Sequence, residues 1–197
     1  MCRIAVTNRR LCQGDFLTRV ESLAKGDIYQ AVLLREKDLT QEQYDILAKE
    51  VLNICQKYGK KCILHSFPEV AVRLGHPYLH LPLPLWQSLG GQEAVRIRQH
   101  IVEIGTSVHS QEQLKQAIEL GADYVIAGHI FATDCKKGKA PRGLDFLQSI
   151  CQETKIPVYG IGGINRENEN AVLQAGAAGV CIMSGCMAGT WSASGIK

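Results

Sequence analysis

Eight short apolar runs, alternating with stretches of helical periodicity, constrain this chain more than any other feature. They span residues 3–7, 28–34, 62–64, 78–80, 100–106, 123–127, 156–160 and 179–183. Successive runs begin about 16 to 34 residues apart, the period of a strand plus its crossover helix. The runs show little polar alternation, as in parallel strands covered on both faces. Helices are predicted over 11–24, 40–58, 69–74, 110–120, 144–152 and 168–175. Thr40 caps the second of these, with Glu42 and Gln43 near the capping-box position, and Gly59 ends it. The Pro82-Leu83-Pro84 segment is expected to exclude regular structure directly after the fourth run.

Eight βα units in series predict a (β/α)8 TIM barrel. A doubly wound sheet would use five or six strands and a glycine-rich first turn, but Val6-Thr7-Asn8-Arg9-Arg10 contains no glycine. Nothing in the chain reads as a linker, so residues 1–197 are expected to form one domain. Only fourteen residues follow the last run, and they include Gly185, Gly189 and Gly195. An incomplete eighth helix is therefore expected.

Composition narrows the function classes. The formal charge of +3 is too small, and the basic residues too scattered, to suggest a nucleic-acid partner. No apolar run approaches the roughly 18 residues needed to span a membrane. The opening residues lack the apolar core of a signal peptide, so a cytoplasmic location is expected. The eight cysteines contain no CxxC pair, which removes the common zinc and thioredoxin patterns. Cys135 stands apart from the others because it lies beside Lys136 and Lys137.

The chemistry concentrates in residues 123–143. An apolar strand breaks at Gly128, presents His129, and enters a polar loop with Thr133, Lys136 and Arg142. A titratable side chain just past a parallel strand is placed as active-site groups are in barrels, and His129 is a candidate acid or base. Gly162-Gly163 and Met183-Ser184-Gly185 follow the last two strands. They fit backbone N–H groups approaching a phosphate, or simply two tight turns. Arg35 and Lys37, two residues apart after the second strand, could face one anion together with Lys136. His65 and His80 end the third and fourth strands and could face the mouth. His109 could support a helix start, and His76 and His100 read as incidental. Those third and fourth strand ends offer no Asp or Glu, and Glu69 is the only carboxylate near them, a poor site for magnesium.

The segments VTNRRL, VLLREKDL, GADYVIAGHIFATDCKKGKAPRGL, VYGIGGI and AGAAGVCIMSG together resemble the thiamine phosphate synthase superfamily over nearly the whole chain. The long segment around His129 is most similar to its thiazole tautomerase, TenI-type branch. That resemblance implies a proton transfer that aromatises a carboxylated dihydrothiazole phosphate to the thiazole carboxylate phosphate. It implies His129 as the catalytic group, and no metal or cofactor. Gly162, Gly163, Met183 and Ser184 would hold the phosphate, Arg35 or Lys37 the carboxylate, and Thr133 and Lys136 further substrate contacts. The partner implied is a small-molecule thiazole phosphate, with no nucleic acid and no membrane, and a homodimer is expected. Two other readings stand beside it. One is a divergent magnesium-dependent thiamine phosphate synthase, which the superfamily pattern opposes. His65-Ser66 stands where that pattern has Asn-Asp, Leu or Pro replaces a further Asp, and Leu33 replaces a Gln. The other is a non-catalytic regulator that binds a phosphorylated ligand.

Overall fold

The computed structural model describes residues 1–191. Eight parallel strands close into a barrel in chain order: β1 (Cys2–Val6), β2 (Ala31–Leu34), β3 (Lys61–His65), β4 (Tyr78–Pro82), β5 (Glu103–Val108), β6 (Tyr124–Gly128), β7 (Val158–Ile161) and β8 (Gly179–Ile182). β8 pairs back onto β1, with Ile4 opposite Cys181. The main helices are α1 (Phe16–Lys25), α2 (Gln41–Lys57), α3 (Pro68–Arg73), α4 (Leu83–Ser88), α5 (Gly91–His100), α6 (Gln111–Glu119), α7 (Gly143–Gln152), α8 (Glu169–Gln174) and α9 (Ser184–Met187). Among the described residues no helix is long and apolar enough to cross a membrane.

The strand residues divide by parity. Ile4, Val6, Ala31, Leu33, Ile63, Tyr124, Ile126 and Cys181 fill the barrel interior. Their neighbours, such as Ala5, Val32, Leu34, Leu64, Leu79 and Leu81, pack outward against the helices. Because side chains alternate along a strand, the parity that turns Ala31 and Leu33 inward also points Arg35 at the mouth. Gly105 opens space within the barrel. A Cβ there would sit 2.0 Å from the Tyr124 ring, so only glycine lets that ring reach across to β4 and β5.

Several boundaries depart from the sequence reading. The first helix starts at Phe16 rather than residue 11, because Asp15 caps it by accepting from the Thr18 N–H. The prolines after β4 do not exclude structure: α4 begins at once, with proline in its first turn, where a missing N–H costs nothing. The expected strand over 100–106 is in fact the end of α5 followed by β5, so His100 closes a helix and caps Arg96 O. The capping box of α2 is as expected, and Gln43 is its return partner. After β8 the single turn α9 is seen. Whether residues 192–197 extend it lies outside the described residues.

Candidate active site

All nine residues singled out from sequence line one cavity of about 390 Å³ at the carboxyl ends of the strands. Arg35, Lys37, Thr133, Lys136 and His129 stand on the β2 and β6 side, and Gly162, Gly163, Met183 and Ser184 on the β7 and β8 side. His65, His109, Ser107, Gln113 and the Pro82–Pro84 segment complete the wall. A wider groove of about 930 Å³ adjoins it, sharing Thr133, Lys136, Gly163 and Ser184 and running on past Asn165 and Gly185.

Tyr44 holds the β2 and β3 ends in place. From α2 its hydroxyl donates to the Leu34 carbonyl (2.7 Å) and accepts from the His65 N–H (2.8 Å), and the residue is fully buried. Arg35 and His65 project from the residues so pinned. Glu36 fixes the next turn from the other side. Its carboxylate accepts from Thr7 Oγ1 at 2.7 Å and from the Arg9 N–H at 3.0 Å, while Thr7 Oγ1 accepts from the Arg35 N–H at 2.9 Å. The Arg35 guanidinium has no ion-pair partner among the described residues, and Met183 Sδ lies 3.8 Å away.

The floor of the cavity is polar but neutral. His65 and His80 stack at 5.4 Å. His80 Nδ1 meets the Tyr124 hydroxyl at 3.1 Å, and its Nε2 meets Ser107 Oγ at 2.9 Å. If Tyr124 donates to Nδ1, Nε2–H donates to Ser107, whose own hydrogen is then free to point into the cavity. Burial, reinforced by Arg35 and Lys37, holds His80 down at about 3. Burial, then His80, Arg35 and Lys37, keep His65 well below the usual histidine range. Both rings are therefore uncharged at neutral pH, and the positive charge of the site is confined to the mouth. There, burial pulls the Lys37 ammonium below its ordinary value, with Arg35 and Lys136 adding repulsion.

The loop after β6 packs tightly on the turn after β7. Gly162 has φ +103, and a Cβ there would lie 2.4 Å from that of His129; at Gly163 it would lie 2.3 Å from the Ala132 carbonyl. The glycine pair is demanded by this packing, as the tight-turn reading expected, whatever its backbone also binds. At Ser184 the chain enters α9, and the first N–H groups of such a turn have no intrahelical partner. His129 Nε2 lies 3.3 Å from the Lys139 carbonyl, and His109 Nδ1 lies 2.6 Å from the Gly128 carbonyl. His109 thus bridges to the end of β6 as well as sitting at the start of α6. His80, expected as a possible mouth residue, is enclosed in the barrel and 1% exposed. Sequence reasoning missed Tyr44 and Ser107. Ser107 was findable by counting two on from Gly105, while Tyr44 carried no signal beyond an aromatic hydroxyl in a helix.

Residues 4–186 match the family model described as thiamine monophosphate synthase. A thiamine-phosphate synthase of Syntrophomonas wolfei is 33% identical over 92% of this chain and 86% of its own length. One from Bacillus cereus (strain AH187) is 38% identical over 88% and 79%. The solved thiamine phosphate pyrophosphorylase of Pyrococcus furiosus superposes with a TM-score of 0.79, at 29% identity over 95% of this chain and 87% of that one. These comparisons overturn the tautomerase reading of the sequence, because the relatives carry the synthase name. The proton-transfer role that the reading gave His129 falls with it.

Proposed function

Because the chain belongs to the thiamine monophosphate synthase family, we propose that it is a transferase of the thiamine-phosphate synthase kind, joining a thiazole phosphate to a pyrimidine diphosphate. The thiazole ring nitrogen supplies its lone pair to the pyrimidine methylene carbon. A C–N bond forms, the C–O bond to the diphosphate breaks, and the leaving group takes that electron pair. The reaction thus needs two anion sites and a space between them for two flat rings. The observation that carries the proposal is that one cavity offers both: Arg35, Lys37 and Lys136 at one side, and the backbone turns at Gly162–Gly163 and Met183–Ser184 at the other.

In this reading the β7 and β8 turns take the phosphate tail of the thiazole. The cations after β2 and β6 take the diphosphate. Pro82, Leu83 and Ile164 supply apolar walls for the rings. Holding both reactants in one orientation makes the attack effectively intramolecular, and fixed positive charge stabilises the departing diphosphate where its charge grows.

Magnesium is the ion that the synthase alternative implies, and the mouth does not suit it. No Asp or Glu lines the cavity, and no cluster of three potential ligands occurs among the described residues. A hard cation that prefers carboxylate oxygen would face three positive side chains instead. The chain's own groups are therefore the ones to which the steps above are assigned.

The test is product formation. Purified protein given both substrates should yield thiamine phosphate, separated by chromatography, and Lys37→Ala should lower kcat/KM for the diphosphate substrate by roughly tenfold or more. Binding of the thiazole phosphate without any coupling would instead favour the non-catalytic regulator.

A further inference from the structure

Resting on that reading, we infer that the mouth holds the substrate's diphosphate directly through Arg35, Lys37 and Lys136, with no bridging divalent ion. These three side chains line a single cavity whose wall contains no carboxylate. None of the three forms an ion pair among the described residues. Buried or half-buried charges in proteins are normally paired, because desolvating an unpaired one is costly. Arg35 is such a half-buried charge, while Lys37 and Lys136 stand exposed at the mouth, with Lys37 crowded by its two cationic neighbours. An anionic ligand is the partner that such a cluster lacks.

The carboxylates that might have served a metal are committed elsewhere. Glu36 is buried under hydrogen bonds from Thr7 and Arg9. Glu69 is bonded to Arg96. Asp134 lies 3.6 Å from Lys137 and lines the adjoining groove, not the cavity. His65 and Ser66 bond each other at 2.6 Å, which occupies Nδ1 of the ring. A divalent ion carried in on the diphosphate would cancel charge that the three cations otherwise meet, and would itself be repelled by them. Metal should therefore compete with this site.

Calorimetric titration of the full chain with inorganic pyrophosphate tests this, first in EDTA and then in excess magnesium. Binding is expected in EDTA, weakening several-fold when magnesium is added. Lys37→Gln and Arg35→Ala should each weaken it roughly tenfold or more, and Lys37→Arg should retain most of it. Circular dichroism establishes that each variant is folded, and Lys37→Gln, on a loop, carries the test should Arg35→Ala fail to fold. Binding that appears only with magnesium, binding in neither condition, or wild-type affinity in folded Lys37→Gln overturns the inference. Coupling of the two substrates is measured separately. Pyrophosphate binding in EDTA without coupling under any metal condition would overturn the synthase reading and leave the metal-free anion site. Coupling with pyrophosphate binding that demands magnesium would do the reverse.

Discussion

Tyr44→Phe isolates the strut between α2 and the active-site ends of β2 and β3. The ring itself keeps its place, packed against Phe67 with centroids 4.4 Å apart. Only the hydroxyl goes. Burial holds that hydroxyl protonated, so in the native protein it donates to Leu34 O at 2.7 Å and accepts from His65 N at 2.8 Å. Its loss leaves one carbonyl and one N–H with no partner at a position sealed from water. An unsatisfied buried polar group costs about 1–3 kcal/mol, so two predict a loss of about 2–4 kcal/mol, allowing for relaxation. For a chain of this size that lowers Tm by roughly 5–15 °C. Urea unfolding followed by circular dichroism measures the difference, and an unchanged m-value would show that the unfolded state is not what altered. Pyrophosphate affinity should fall as well, since Arg35 and His65 follow the two freed groups. A variant within about 0.5 kcal/mol of wild type would refute the reasoning, because the hydroxyl would then not be a strut.

Other consequences follow from the same geometry. Gly162→Ala places a methyl 2.4 Å from the His129 Cβ at φ +103, so both overpacking and backbone strain oppose it. A loss of about 2 kcal/mol or more is expected in thermal melts, and a wild-type Tm would show that the β6 loop yields freely. Acidification should destabilise the fold well above the carboxylate range. His65 and His80 are held neutral when folded, at about 3 for His80, but take up protons near 6.5 when unfolded. The unfolded state thus binds more protons below about pH 6.5, and this stability, fully present above that pH, is lost as pH falls towards the folded values. Each histidine contributes a slope of about 1.4 kcal/mol per pH unit, with His76 and His109, also lowered by burial, steepening the fall. Urea titrations at pH 7 and pH 5 should differ by several kcal/mol, and equal midpoints would contradict the buried neutral rings.

The barrel was legible because its signal is repeated eight times and each repeat is buried on both faces. Period and apolarity carry that information locally. The mouth residues were legible for a related reason: in a parallel barrel, whatever follows a strand faces the same end, so Arg35, Lys37, His129, Gly162 and Ser184 had to meet. What failed was local grammar that tertiary structure overrides. Pro84 looked like a breaker and is a first-turn residue of α4. The polar helix α5 was missed because its face is nearly all exposed, with only Ile97 buried. The His80–Tyr124–Ser107 network was invisible because it joins three strands through the space at Gly105. The choice of reaction could not be read from His129 alone, since a histidine beside a phosphate site suits several chemistries. The names of the relatives weigh against the tautomerase among them.

Phosphorus NMR of the protein mixed with thiazole phosphate and pyrimidine diphosphate, in EDTA, tests the central claim most directly. The account predicts free pyrophosphate and thiamine phosphate appearing together in equal amounts, and only when both substrates are present. Unchanged spectra in EDTA and again with magnesium, from protein that still binds the thiazole phosphate, would contradict it.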